Sequence, residues 1–180
     1  MDETLQAWLK QEEELRQCWA QGAGAGLLDP VAMAGLTGLQ QLQAMLRGER
    51  PFATFGQTLD FLPVEMSDGL AVFQGTPGPG HLNPMGGVHG GWYATLLDSA
   101  LGCSVHTRMP AGKSYTTLEL KINIIRALTP KVQRVRATGR VIHVGGQTAT
   151  AEARLEGPDG KLYAHGSTTC LVFDAKPRVA

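Results

Sequence analysis

Apolar side chains at helical spacing predict two helices within the first 50 residues. The first covers residues 2–21, where Asp2 can cap the helix and one stripe contains Leu5, Trp8, Leu9, Leu15 and Trp19. Asp29 followed by Pro30 is typical of a helix start and predicts a second helical stretch that ends near residue 47. We interpret residues 1–50 as a helical extension that packs on the main domain or on a partner subunit.

The pattern of apolar positions changes after Pro51. Residues 57–66 and 70–76 are predicted to form two strands joined by a tight turn. A loop rich in Gly and Pro follows, and residues 88–109 then carry apolar side chains on most sides. A helix with this pattern is buried in the protein rather than lying on its surface.

The remainder of the chain is a series of strand patterns separated by turn signals, at residues 117–126, 132–144, 147–156 and 162–173. The Gly145-Gly146 pair between two of them is a hairpin signal. Small residues alternate in the later strands, which lets a sheet close around a helix. The sequence therefore predicts an α+β domain over residues 51–175, in which an antiparallel sheet wraps around one central helix.

Charge is balanced over the whole chain but not along it. Sixteen basic and sixteen acidic residues cancel, so there is no electrostatic reason to expect nucleic acid or an anionic membrane as a partner. Residues 51–103 contain no Lys or Arg, whereas residues 104–180 contain 12 basic and 5 acidic side chains. A local excess of positive charge suits an anionic small molecule.

The cysteines and the N-terminus favour a cytoplasmic location. Three cysteines stand far apart without a C-x-x-C pair, so we expect neither a disulfide framework nor a zinc site. The first residues are acidic rather than typical of a signal peptide. No apolar stretch approaches the roughly 20 residues that span a bilayer.

Gly90 and Gly91 stand where the buried helix is predicted to begin. The first N–H groups of a helix have no intrahelical partner, and glycine lets a ligand approach them closely. Such amides can form an oxyanion hole, in which one donor stabilises a transition state by about 3 kcal/mol. The alternative is a plain glycine-rich turn.

Asp98 lies in the middle of the same apolar helix, where a carboxylate is costly to bury unless it is paired or used. Because residues 51–107 contain no Lys or Arg, a catalytic role is favoured over a structural ion pair. Burial raises the pKa of a carboxyl group and strengthens it as a base or nucleophile.

The spacing of Gly90 and Asp98 indicates a site shared between subunits. Eight residues of helix span roughly 12 Å, so one carbonyl carbon cannot lie about 3 Å from both groups of the same helix. If both act, two antiparallel copies of the helix must face each other, as in a two-fold dimer.

The segment from Asn83 to Asp98 reads N-P-x-G-x-x-H-G-G followed by L-L-D-x-A. With the strands that follow, it resembles the hotdog-fold thioesterases of the phenylacetate-degradation type over about residues 51–174. The resemblance implies a hotdog fold and hydrolysis of acyl-coenzyme A, with small and aromatic acyl groups favoured. It also implies that coenzyme A enters only as part of the substrate, without a separate cofactor, and that the protein is a homodimer paired into a homotetramer.

The resemblance also assigns roles to residues. In that family the carboxylate at the Asp98 position is the nucleophile or general base. The amide at the Gly90 position polarises the thioester carbonyl, and the polar residue at the Asn83 position orients the reacting groups. His89 is expected to shape the loop, and His89, Gly91 and Ser99 are expected to lie against the substrate.

This chain departs from the family where coenzyme A phosphates are bound. Family members often carry Arg or Lys near the Gly146 position, whereas here the hairpin reads Gly-Gly-Gln. We therefore expect either that the phosphate contacts come from other basic residues, namely Arg126, Lys131, Arg134 or Arg140, or that the thioester carrier is not coenzyme A.

Two other functions are consistent with the sequence. A hotdog dehydratase of hydroxyacyl thioesters would form an enoyl product and pairs a histidine with an acid at a different spacing. A non-catalytic acyl-coenzyme A sensor would bind its ligand tightly without turnover, and the N-terminal helices would transmit the signal.

Overall fold

The computed structural model describes residues 3–33 and 35–175. The predicted helix cap Asp2 lies outside the described residues. Four helices and two strands come first: α1 (Glu3–Gln21), α2 (Pro30–Met33), α3 (Gly38–Leu46), α4 (Thr54–Thr58), β1 (Phe61–Ser67) and β2 (Leu70–Gly75). The central helix and four strands follow: α5 (Gly90–Thr107), β3 (Lys113–Ile124), β4 (Val135–Val144), β5 (Thr148–Glu156) and β6 (Leu162–Asp174).

The six strands form one antiparallel sheet in the order β1-β2-β4-β5-β6-β3. Helix α5 contacts all six strands, and its residues Leu96, Leu97, Ala100 and Leu101 are fully buried. The helix and β4 approach so closely that a Cβ at Gly139 would lie 2.2 Å from the carbonyl oxygen of Ala100. The predicted α+β arrangement of a sheet around one helix is confirmed.

Four predicted boundaries are wrong, one of which is the start of the strand predicted from residue 132, which begins at Val135. The second helical stretch is broken into α2 and α3, because Gly35 has a φ of 82° and Thr37 starts a new helix with a reciprocal capping box to Gln40. The strand predicted from residue 57 begins at Phe61, since the preceding residues form α4. The strand predicted from residue 117 begins at Lys113, directly after the turn at Gly112.

Helix α1 packs on the face of the sheet that points away from α5, through a polar network around Glu12. The Glu12 side chain is buried and accepts hydrogen bonds from Arg134 Nε at 2.6 Å, Gln74 Nε2 at 2.7 Å and Arg16 Nε at 2.9 Å. Burial alone would raise the pKa of Glu12, but the hydrogen bonds from Arg134, Arg16 and Gln74 and the charge of Arg134 outweigh it and hold the pKa below its usual value. Glu12 therefore fastens α1 to β2 and to the residue that precedes β4.

We expect Glu12→Ala to lower the free energy of unfolding by about 3 kcal/mol, because it leaves buried polar groups without their partner. Urea denaturation of the variant and the wild type measures this difference. Glu13→Ala is the matched control, since Glu13 is exposed on the same helix and surface substitutions change stability by about 0.5 kcal/mol or less. Equal denaturation midpoints for the two variants would contradict a structural role for Glu12.

Candidate active site

The first turn of α5 presents one free amide. His89 caps the helix, and its Nδ1 accepts a hydrogen bond from the Gly91 amide at 2.9 Å, while its carbonyl oxygen accepts one from the Trp92 amide at 2.9 Å. Within residues 3–33 and 35–175, the Gly90 amide has no hydrogen-bond acceptor. The only atom that a Cβ at Gly90 would approach closely is the tip of the Ile124 side chain, at 3.2 Å. Gly90 therefore offers an available N–H at the positive end of the helix dipole.

Asn83 shapes the loop that leads into this turn. Its Oδ1 accepts hydrogen bonds from the Met85 amide at 2.9 Å and the Gly87 amide at 3.3 Å. Its backbone amide donates to the Gly87 carbonyl oxygen at 2.8 Å. The side-chain oxygen of Asn83 is thus used within the loop, and a direct role in orienting reactants stays a prediction.

Asp98 is half-buried in the middle of α5, and its contacts leave it without a balancing charge. Thr117 Oγ1, on β3, donates a hydrogen bond to Asp98 Oδ1 at 3.3 Å. No Lys, Arg or His in the described part of the chain forms an ion pair with Asp98. Burial raises the pKa of Asp98, and the hydrogen bond from Thr117 opposes that rise. This combination suits a carboxylate that accepts a proton or attacks an electrophile.

A cavity of about 260 Å³ opens beside Asp98. Four wall residues carry polar groups, namely Asp98, Ser99, Tyr115 and Thr117. The other wall residues are apolar or small: Leu42, Met45, Phe52, Ala53, Phe55, Gly56, Phe61, Pro63, Phe73 and Cys103. An apolar cavity with few polar groups at one point is the usual form of a small-molecule site.

Tyr115 occupies the space beside α5 one turn beyond Asp98. A Cβ at Gly102 would lie 2.6 Å from the Tyr115 hydroxyl oxygen, so only glycine fits at position 102 while the tyrosine ring stays in place. The sequence did not point to Tyr115 or Thr117 as site residues. Their spacing of two on one strand, which puts both on the same face of the sheet, is the signal that was available.

The structure separates the predicted phosphate-binding residues. The Arg126 carbonyl oxygen accepts a hydrogen bond from the Tyr93 hydroxyl at 3.3 Å, which places Arg126 near the first turn of α5 with its side chain exposed. Arg134 pairs with Glu12, and Arg140 is exposed on β4 across from Glu152. These last two lie on the face of the sheet away from α5. Contact of any of the three with phosphates stays a prediction.

The comparisons with known proteins agree with this geometry. The model of the thioesterase superfamily matches residues 85–164, which contain Gly90, Asp98 and Thr117. A solved structure described as a protein from the thioesterase superfamily is 30% identical, with a TM-score of 0.58, and the match covers 66% of this chain and 89% of that one. This chain belongs to the thioesterase superfamily. The thioesterase is accordingly a thioester hydrolase, and the prediction of that activity is confirmed.

Two further structures place the thioesterase within the family. A conserved protein from Pseudomonas aeruginosa is 30% identical, with a TM-score of 0.63 and a match that covers 68% of this chain and 95% of that one. A phenylacetic acid degradation-related protein from Ralstonia eutropha JMP134 is 27% identical, with a TM-score of 0.65 and coverage of 72% and 97%. The predicted likeness to hotdog thioesterases of the phenylacetate-degradation type is confirmed.

No curated protein sequence matches the thioesterase. Among the described residues, no helix combines the length and the apolar character that crossing a membrane requires.

Proposed function

We propose that this thioesterase hydrolyses small acyl-coenzyme A thioesters, including aromatic ones, with Asp98 as the catalytic carboxylate. The observation that supports this most strongly is the environment of Asp98, which is half-buried, lacks a cationic partner in the described residues and forms part of the wall of an apolar cavity. As a general base, Asp98 accepts a proton from water while the water oxygen attacks the carbonyl carbon. The C–S bond then breaks, the coenzyme A thiolate leaves, and the proton passes from Asp98 to the sulfur.

As a nucleophile, the Asp98 carboxylate instead attacks the carbonyl carbon, the C–S bond breaks and the coenzyme A thiolate leaves. Water then cleaves the resulting mixed anhydride, which frees the acyl group as a carboxylic acid and restores Asp98. Both routes place negative charge on the carbonyl oxygen, and the free Gly90 amide is the group suited to stabilise it.

The proposed site is shared by two subunits. Gly90 and Asp98 lie on one helix, about 12 Å apart along its axis, so each must serve a different site. Strand β3 supports a homodimer, because it is the last strand of the sheet and carries exposed apolar side chains. Leu118 is 61% exposed and Ile124 is 47% exposed, values that favour burial against a second copy. Further pairing into a homotetramer is an expectation from the family.

Mixed dimers test the shared site. We combine Asp98→Asn, which removes the carboxylate, with Gly90→Pro, which removes the amide hydrogen. Each homodimer lacks one essential group at both sites, whereas a mixed dimer contains one site with an intact Asp98 from one chain and an intact Gly90 from the other. After unfolding and refolding at a 1:1 ratio, half of the dimers are mixed and each has one working site, so about a quarter of wild-type activity is expected.

Thiol release from acyl-coenzyme A is the measurement for the mixed dimers. Activity that stays at the level of the two separate variants would exclude a site built from both chains. Formation of an enoyl product instead of free thiol would indicate a dehydratase.

Thr117 is expected to set the pH at which Asp98 becomes active. Its hydrogen bond lowers the pKa of Asp98, so Thr117→Val should raise that pKa. Because the base must be ionised, activity is lost as the pH falls through the pKa, and the acidic limb of the kcat/KM profile should move to higher pH. Thr116→Val is the matched control, since Thr116 is exposed on the same strand. If the acidic limb of Thr117→Val stays at the wild-type pH, the group whose ionisation produces that limb is not Asp98.

A further inference from the structure

We infer that residues 42–56 form the acyl-selecting wall of the thioesterase, and that the cavity they line accepts an acyl group with one aromatic ring or an apolar chain of similar size. This inference rests on the proposed function, because it takes the cavity beside Asp98 as the place of the acyl group. It goes further by assigning selectivity to residues before the segment that matches the superfamily model, which begins at residue 85.

Six of the fourteen residues around the cavity come from this N-terminal segment: Leu42, Met45, Phe52, Ala53, Phe55 and Gly56. Helix α5 and β3 contribute Asp98 and Thr117 to the same cavity. A thioester carbonyl held at Asp98 therefore points its acyl group towards α3 and α4. The family core contributes the chemistry, and the N-terminal segment determines the shape of the space beyond it.

Aromatic side chains dominate this space. The chain contains five phenylalanines, and four of them line the cavity: Phe52, Phe55, Phe61 and Phe73. The ring centroids of Phe55 and Phe61 are 6.1 Å apart with the rings nearly perpendicular, and those of Phe61 and Phe73 are 6.0 Å apart. Aromatic rings stabilise one another at such distances and angles. An aromatic ring on the acyl group can pack against these phenylalanine rings at the same distances and angles.

The size of the cavity limits the acyl group. An apolar cavity of about 150 Å³ is sufficient to bind benzene, so about 260 Å³ holds one ring with a short linker. Leu42, Phe61 and Phe73 are buried, whereas Phe55 is 53% exposed, which places Phe55 at the rim and the other three at the inner wall. A long alkyl chain exceeds this space, and a fused two-ring group on the same linker takes up nearly all of it and fits less well than one ring.

The wall is held in place by contacts outside the cavity. Trp19 Nε1 donates a hydrogen bond to the Met45 carbonyl oxygen at 2.8 Å. The Gly38 amide donates to the Met109 carbonyl oxygen at 2.9 Å, and a Cβ at Gly38 would collide with the backbone of His106. Helix α3 is therefore fixed to α1 and to the end of α5, and a shorter side chain at Met45 enlarges the cavity without requiring the helix to move.

The test compares kcat/KM for acetyl-, phenylacetyl-, naphthylacetyl- and palmitoyl-coenzyme A. The wild type should favour phenylacetyl over each of the other three by at least about tenfold, since one methylene group too many or too few in an apolar pocket changes rates by about 10 to 200-fold. Met45→Ala should raise the ratio of naphthylacetyl to phenylacetyl by about tenfold. Leu46→Ala is the matched control on the same helix, because Leu46 does not line the cavity, and it should leave that ratio unchanged.

Failure of the inference and failure of the proposed function are distinguishable. Hydrolysis with a preference for palmitoyl or acetyl groups, or a ratio that changes equally in Met45→Ala and Leu46→Ala, would overturn the inference while the hydrolase remains. A binding measurement separates the cavity from the chemistry, with Asp98→Asn titrated by phenylacetamide and naphthylacetamide in a calorimeter. Binding of phenylacetamide without binding of naphthylacetamide supports the inferred acyl-selecting wall. Equal binding of the two amides, or no binding of phenylacetamide, overturns the inference. Both outcomes are informative even if no thioester in the panel is hydrolysed.

Discussion

Asp98→Asn should lower kcat/KM for a good acyl-coenzyme A substrate by at least about a hundredfold, which corresponds to roughly 2.7 kcal/mol of barrier. The amide has nearly the shape of the carboxylate, and it can still accept the hydrogen bond from Thr117. It can neither take a proton from water nor attack a carbonyl carbon. Thiol release under conditions of limiting substrate measures the change.

Stability distinguishes this loss from a folding defect. Burial raises the pKa of Asp98, which means that the folded state disfavours the ionised form and that this carboxylate lowers stability as the pH rises through that range. Asparagine removes the penalty, so the variant should melt at the wild-type temperature or above it. Asp68→Asn, at an exposed turn, serves as the control for activity. Activity above a tenth of the wild-type value in a folded Asp98→Asn would remove this carboxylate from the reaction.

Gly90→Pro should lower kcat by about 10² to 10³, the usual effect of removing one oxyanion donor. Position 90 is the first residue of α5, where proline is well tolerated because its missing N–H has no helical partner. His89 already has the extended backbone, with φ −63° and ψ 137°, that a following proline requires. The substitution therefore replaces the amide hydrogen with the Cδ atom of the proline ring, at little cost to the helix.

Gly90→Ala is the control for this change, because it adds the same Cβ next to Ile124 but keeps the amide hydrogen. It should retain activity within about tenfold of the wild type, since the Ile124 tip is flexible and can shift. Circular dichroism of both variants verifies that α5 is intact. If alanine and proline reduce kcat equally, steric change at position 90 explains the loss, and the amide is not the oxyanion donor.

The central helix and its carboxylate were predictable because the evidence for both is local. Residues 88–109 are apolar on most sides and bounded by Gly and Pro, so a buried helix was expected, and α5 occupies Gly90–Thr107. Asp98 stands out because the segment around it contains no cation. The inward face of β5 was likewise predictable, since Ala149, Ala151, Ala153 and Leu155 alternate in the sequence and are all buried.

The spacing of Tyr115 and Thr117 shows that they share a face of β3, but which face points inward depends on the register of the strand. Up to Thr117 the inward residues follow a period of two, but a bulge at Leu118 shifts the pattern, and Leu120 and Ile122 face inward after it. Continuing the alternation through Glu119 would have placed a charge in the core. A shift of one residue reverses every side chain of a strand, and nothing local in the sequence marks where this shift occurs.

Long-range contacts explain the other differences. Arg134 was a reasonable phosphate ligand on charge alone, but its side chain bonds to Glu12, which is 122 positions earlier in the chain. The helical character of the first 50 residues was predicted, whereas their place in the wall of the cavity follows from how α3 packs between α5 and β1. Helical periodicity identifies the buried face of α3, not the neighbour that covers it.

The unpaired edge of β3 makes the hydrolysis rate per chain depend on the protein concentration. In the proposed dimer this edge is covered only when two chains meet, so a single chain holds the carboxylate and the amide but no complete site. Mass action then makes the fraction of working enzyme depend on concentration. At chain concentrations well below the dissociation constant, the hydrolysis rate rises with the square of the concentration, and a twofold change in synthesis produces nearly a fourfold change in turnover.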